Sequence, residues 1–165
     1  MNSRFEVIHT LTEEERMRNP QWNMPYVPAI KVLSGNPVYI SGVNAAPIDH
    51  SHPHQPDEFN SLDFSPEAQA KLTMENLQSI LAASGGTLND IVQLFVFIVD
   101  VHKHGDLIGK IVSQYFDDHL CSSTVVGITN LITDPRLILE ITAVAYISKI
   151  HPTSFNISEI THGSN

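Results

Sequence analysis

The sequence is poor in groups that grip anions. Nine Lys and Arg face eighteen Asp and Glu, a formal net charge of −9, and only Arg4, Arg16, Arg18 and Arg136 are arginines. A negative field of that size argues against wrapping a nucleic-acid backbone or lying on an anionic membrane. Charged residues make up 16% of the chain, below the usual share of about 25%. A single cysteine, Cys121, excludes an intramolecular disulfide and fits a reducing compartment. The longest apolar runs are about ten residues, too short to span a bilayer. The first twenty residues are acidic and lack the apolar centre of a signal peptide. The expectation is a soluble, cytoplasmic protein in which the sequon at Asn156-Ile157-Ser158 is chance. There is no GxSxG, Walker A or GxGxxG string and no internal repeat, so a nucleotide-phosphate cradle has no support.

What is present is one domain's worth of chain. At 165 residues and 42% hydrophobic composition, it can bury roughly 68–70% of its unfolded surface without disulfides or metal. Thr12 to Arg18 reads as a short capped helix. Trp22 to Pro28 should be extended. Ile30 to Leu33 and Val38 to Gly42 flank Ser-Gly-Asn-Pro and read as a β-hairpin. A loop from Val43 to Asp63 follows, rich in Pro, His, Asn and Asp. Ser65-Pro66-Glu67 starts a helix, since a hydroxyl cap, a first-turn proline and a carboxylate at the positive helix end all favour it. Ala70, Met74, Leu77, Leu81 and Ser84 share one face of it, and Gly85-Gly86 ends it. Ile91 to Val99 is continuous and β-rich, which predicts a central strand covered on both faces. Leu107, Ile108, Ile111, Val112, Tyr115 and Phe116 mark a second amphipathic helix. His102 and His104 fall in the preceding loop. Ser123–Ile128 and Leu137–Ile147 read as strands around a Thr133–Arg136 turn, and the tail from Ser148 is polar.

This order predicts an α+β two-layer fold, a mixed sheet with two helices on one face. The other face still carries apolar side chains and should be buried against other subunits. The domain plan is a single unit over 1–165, with a core of 24–147, an N-terminal extension of 1–23 and a tail of 148–165.

Few residues can carry chemistry. Glu140 is the only charged side chain in Leu137–Ile147. A carboxylate in a buried strand is costly unless paired or hydrogen-bonded, and such groups concentrate at functional sites. It reads either as a general acid or base or as an outward glutamate sharing a wet face with Thr142. His50, His52 and His54 alternate, so an extended backbone puts them on one side. Three imidazoles suit zinc or nickel. No distal ligand pair has a recognised spacing, however, and Pro53 and Pro56 restrict the loop. The expectation is no metal and no cofactor, with His52 or His54 lining a pocket. Cys121 has no local base and reads as a buried thiol.

Several strings, in this order, resemble the Rid (reactive intermediate deaminase, YjgF-like) family: Pro25-Tyr26, Tyr39-Ile40-Ser41-Gly42, Glu75-Asn76-Leu77, Ala82 through Val92 (AASGGTLNDIV), Tyr115-Phe116, Ser123-Thr124-Val125 and Leu139 through Ala145 (LEITAVA). The resemblance implies a chorismate-mutase-like fold and a homotrimer with a ligand cleft at each subunit boundary. It implies hydrolysis of an enamine or imine such as 2-aminoacrylate to a ketone and ammonia. Glu140 falls on the water-orienting glutamate, Tyr26 on a cleft tyrosine, and Ser41-Gly42 on the cleft-lining pair. One position departs. Where members read Pro-Ala-Arg-Ser-Thr, this chain has Leu120-Cys121-Ser122-Ser123-Thr124, so Ser122 replaces the arginine that grips the substrate carboxylate. Serine cannot make that bidentate pair. Gly109 likewise stands where an asparagine is usual. The chain is thus expected in a divergent branch, similar to deaminases of 2-aminomuconate-type enamines. Ser122 would bind a polar group, and Arg136, His52 or His54 would supply the missing positive charge. The rival reading is a non-catalytic metabolite-binding or regulatory trimer.

Overall fold

Nine residues, Ile91–Val99, form strand β4 at the heart of a four-stranded mixed sheet. The computed structural model describes residues 4–20 and 26–148. The other elements are strands β1 (Phe5–Ile8), β2 (Ala29–Val32), β3 (Asn36–Val43), β5 (Ser122–Ile128) and β6 (Leu139–Ile147), and helices α1 (Glu13–Arg18), α2 (Pro66–Ala83) and α3 (Val101–Phe116). The sheet order is β3-β6-β4-β5. β4 and β5 are parallel, connected through α3, and the other pairs are antiparallel. Part of the extended segment expected from Trp22 to Pro28, and the tail beyond Ser148, lie outside the described residues.

α2 begins where its cap chemistry dictates. The Ser65 hydroxyl accepts from the Ala68 N–H with Pro66 at the first position, a cap of about 1 kcal/mol. Ala70, Met74, Leu77 and Leu81 are fully buried against the sheet, as their spacing requires. Gly85, at φ +78°, turns the chain out of the helix. α1 is closed by a reciprocal Thr12–Glu15 capping box. α3 starts directly from β4 through Asp100 in the left-handed region, so His102 and His104 sit in its first turn, not in a loop.

The expected hairpin does not form. β2 pairs with β1, in register from Phe5↔Val32 to Ile8↔Ala29, and β3 pairs with β6. Gly35, at φ +111°, lets the chain leave β2 and enter another sheet. The N-terminal segment supplies the strand that β2 needs. Arg4 anchors it by an ion pair to the buried Asp90 and a bond to the Tyr146 carbonyl.

Among the described residues, β4 is covered on only one face. Leu94, Val96 and Ile98 are buried under the helices, while Gln93, Phe95, Phe97 and Val99 are half-buried. The same alternation runs along β6, where Glu140, Thr142, Val144 and Tyr146 share the open face. Strand pairing adds Val126 and Tyr39 to that face, and Tyr39 is 76% exposed. Among the described residues no helix is long and apolar enough to cross a membrane.

Candidate active site

A break in strand pairing builds the site. Ile40 pairs with Ala143 and Val43 with Ile141. Two residues of β3, Ser41 and Gly42, therefore oppose the single Thr142 of β6. This is a β-bulge, a device that re-aims chain beside functional groups. It brings Gly42 against Glu140: a Cβ added to Gly42 would lie 2.6 Å from Glu140 Oε1. Only glycine leaves room for the carboxylate there.

The glutamate is held from its other side by Asn44. The Asn44 Oδ1 accepts from the Ala46 N–H at 2.9 Å, which commits its Nδ2 as a donor. That Nδ2 donates to Glu140 Oε2 and to Thr133 Oγ1, each at 3.2 Å. Asn76 on α2 donates to the Asn44 and Ala46 carbonyls, both at 2.9 Å, tying this loop to the helix. Glu140 is half-buried and opens onto a cavity of about 370 Å³ that Gly42, Asn44, Asn76, Thr133, His50, His52 and His54 also line. A carboxylate positioned by one donor, with lone pairs free towards a cavity, can take up and return a proton to a bound molecule. Asn44 escaped the sequence reading, and Asn76 entered it only within the string Glu75-Asn76-Leu77, with no role assigned. The one hint at Asn44 was a polar side chain between the buried apolar Val43 and Ala45, a pattern many structural asparagines share.

The other expected site residues are dispersed within one chain. His52 and His54 join Glu140 and Gly42 at the cavity, and His50 comes with them. Ser41 is exposed in the bulge and does not line the cavity. Ser122 pairs with Gln93, four residues along β4 from Phe97, the residue opposite Glu140. Strand geometry puts it about 16 Å from Glu140. Tyr26 lines a separate groove of about 460 Å³ between α3 and β5, together with Gly109, Cys121 and Ser123. The Val27 N–H bonded to the Cys121 carbonyl fixes it there. Burial pushes the Cys121 thiol up to about 12, so it is no nucleophile.

Arg136 does not face Glu140. Its guanidinium pairs with the buried Asp134 at 2.8 Å, donates to Asn60 Oδ1 and the Pro56 carbonyl, and lies 4.3 Å over the Phe64 ring. Its side-chain hydrogen bond holds the Asp134 carboxyl below the usual range. The expectation that Arg136 supplies a substrate-binding charge is corrected by these contacts: its donors are spent on closing the turn before β6 and the loop that precedes α2.

Comparisons with known proteins agree with this architecture. A RutC family protein of Pyrococcus abyssi is 30% identical over 122 residues, 74% of this chain and 86% of that protein. Escherichia coli TdcF, named provisionally as a reactive intermediate deaminase, is 33% identical over 79 residues, 46% of this chain and 60% of its own. Its crystal structure with bound serine superposes at a TM-score of 0.55 with 27% identity, over 76% of this chain and 90% of that one. The Rid-family protein YyfB of Yersinia pestis shares the fold at a TM-score of 0.64 and 21% identity, covering 87% of this chain and 99% of its own. The family model described as Endoribonuclease L-PSP matches residues 17–147, and on that match the chain belongs to the Ribonuc_L-PSP family, the Rid or YjgF-like proteins.

Proposed function

We propose that the protein is a hydrolytic deaminase of a small enamine or imine. The observation that carries this reading is Glu140, aimed by Asn44 and by the space at Gly42 into a cavity of small-molecule size. As the acid, Glu140 protonates the enamine carbon and gives the imine. As the carboxylate, it takes a proton from water attacking the imine carbon. The resulting carbinolamine loses ammonia and leaves the ketone, so one enamine and one water become one ketone and one ammonia. The name carried by TdcF supports the reaction class. A substrate of the 2-aminomuconate type suits a site in which Ser122 stands in the arginine position and Arg136 is committed elsewhere.

The cleft is completed by a second copy in a homotrimer. Tyr26 and Ser122 lie too far from Glu140 to share a ligand within one chain, and the open sheet face offers the apolar surface for assembly. Cys121, single and buried, fits the cytoplasm. A polyanionic RNA substrate fits poorly with a net charge of −9 and a cavity lined by neither Lys nor Arg.

The test is ammonia release from 2-aminoacrylate generated in place and from an aminomuconate-type enamine. Glu140→Gln should lower kcat/KM by about 10²–10⁴ and leave the assembly unchanged by light scattering. Undiminished turnover in that variant would sink the mechanism. The absence of a cationic lining also favours a second reading, a binding trimer that has lost turnover. Saturable binding of these compounds by the wild type with no ammonia released would establish it instead.

A further inference from the structure

The loop from Pro47 to Phe59 gathers three imidazoles. The ligand nitrogens of His50, His52 and His54 all lie within 4.8 Å of one another, with ring centroids 4.9, 5.2 and 4.6 Å apart. The ring of His50 stands edge-on to the fully buried Phe59, at 5.5 Å and 76°. Phe59 closes the turn Pro56–Phe59 and seats the loop on the smaller core of Ala45, Ala46, Leu131 and Leu137.

The two nitrogens of His50 are treated differently. Nδ1 lies 2.7 Å from the Pro47 carbonyl, which can only accept, so Nδ1 carries the hydrogen. Nε2 then presents a lone pair, and that atom is buried with no hydrogen-bond partner among the described residues. A buried acceptor without a donor is a cost that proteins rarely leave standing. A backbone carbonyl holding one ring nitrogen and leaving the other to serve as ligand is how metal-binding histidines are oriented. Glu58 adds a negative charge beside His50 and His52. Its carboxylate accepts from the Ser51 N–H at 3.0 Å, and Ser51 holds its pKa below the usual range.

We propose that His50, His52 and His54 form a binding site for a divalent transition ion of the zinc class, opening onto the cavity that holds Glu140. Three neutral imidazoles with a vacant fourth position are a zinc ligand set, at Zn–N distances of about 2.0–2.1 Å. Those distances put the nitrogens about 3.3 Å apart, so the rings close by at most about 1.5 Å, within side-chain rotation. All three histidines line the Glu140 cavity, whose lining includes neither Lys nor Arg among the described residues. The ion therefore supplies the positive charge that this cavity's side chains do not, and it selects ligands with an anionic oxygen to place at the vacant position. The assignment does not rest on the deaminase reading, because binding is measured without turnover.

The experiment is calorimetric titration of zinc chloride into untagged, chelator-stripped protein. One ion per chain should bind with a dissociation constant at or below about 1 μM, a range three protein ligands reach readily. Cobalt(II) in place of zinc should give the visible absorption of a four-coordinate ion. His50→Ala and His54→Ala should each weaken binding at least about tenfold, since losing even an outer-shell partner of a ligand costs about 10–100-fold. The combined His50, His52, His54→Ala variant should abolish both signals and the rise in Tm that zinc gives the wild type. No binding at 100-fold higher zinc, or undiminished binding in the triple variant, overturns the site. Since the loop lies outside the main core, loss of binding counts only when the variant's metal-free Tm stays close to wild type. If the triple variant unfolds, the His54→Ala variant decides in the same way.

Discussion

The two edges of the four-stranded sheet are finished to different degrees. At the β3–β6 edge, polar groups satisfy one another: Asn76 holds the Asn44 loop, Asn44 holds Glu140 and Thr133, and Gly42 makes room for the carboxylate. At the β5 edge, Val125 and Val126 are 55% and 40% exposed, and the nearby Tyr26 and Leu120 are about equally open to water. Polar groups braced within one chain at one edge, and an apolar surface open to water at the other, are what the proposed homotrimer would require. In the proposed trimer, the Glu140 carboxylate is positioned by hydrogen bonding within one chain, whereas the rest of the cleft would come from assembly.

The strongest way to break this comparison is Val126→Asp. Val126 shares the open face with Phe97 and Glu140, in register across β5, β4 and β6. A charge there is tolerated by a solvated face and is prohibitive in a desolvated interface. Light scattering should show monomers, with deaminase turnover falling more than about 100-fold, the cost of losing ligand positioning, and the far-UV circular dichroism unchanged. A variant still trimeric and active would mean that the open face is a solvent face. A monomeric, fully active variant would mean that the β3–β6 edge suffices alone.

Gly42→Ala sharpens the other half of the comparison. Its φ is unremarkable, so the substitution strains no backbone; it only pushes a methyl onto Glu140 Oε1. Turnover should fall about 10–100-fold through a carboxylate displaced by around 1 Å, while assembly stays intact. An unchanged rate would show that the bulge does not aim the carboxylate.

The elements whose side-chain spacing meets the core were legible in the sequence, and the features set by strand partner, register slip or loop folding were not. α2, β4, the α3 stripe and β6 emerge from periodicity because their spacing meets the core directly. The β1–β2 pair stayed hidden because four-residue strands carry little pattern, and the strand that pairs with β2 comes from a segment otherwise read as an extension. Glu140 was legible as a lone charge among apolar neighbours. Asn44 was not, because its role depends on a one-residue slip in register that no residue announces. The histidine triad was visible as an alternation, but its convergence comes from a folded loop and not from an extended strand.

Arg136 gives the smallest expected effect on activity and the clearest separation of structure from chemistry. Arg136→Met should leave kcat and KM within about twofold, since the side chain touches neither the cavity nor Glu140. Its effect belongs in stability. Arg136 holds the Asp134 carboxyl below the usual range. Asp134 is therefore a group whose native value is depressed, and its contribution is present above the unfolded value of about 3.9 and lost as pH falls through the native one. Removing the guanidinium leaves Asp134, 2% exposed, as an uncompensated charge at neutral pH, which protonation relieves in acid. The Tm of the variant should lie below wild type at pH 7, and the gap should narrow steadily once the pH drops below about 4. A gap that persists undiminished in acid would assign the loss to the stacking of Arg136 on Phe64 and not to the ion pair. A large rise in KM would return this arginine to the ligand and dissolve the contrast between the two edges, because the charge for the substrate would then come from the turn before β6.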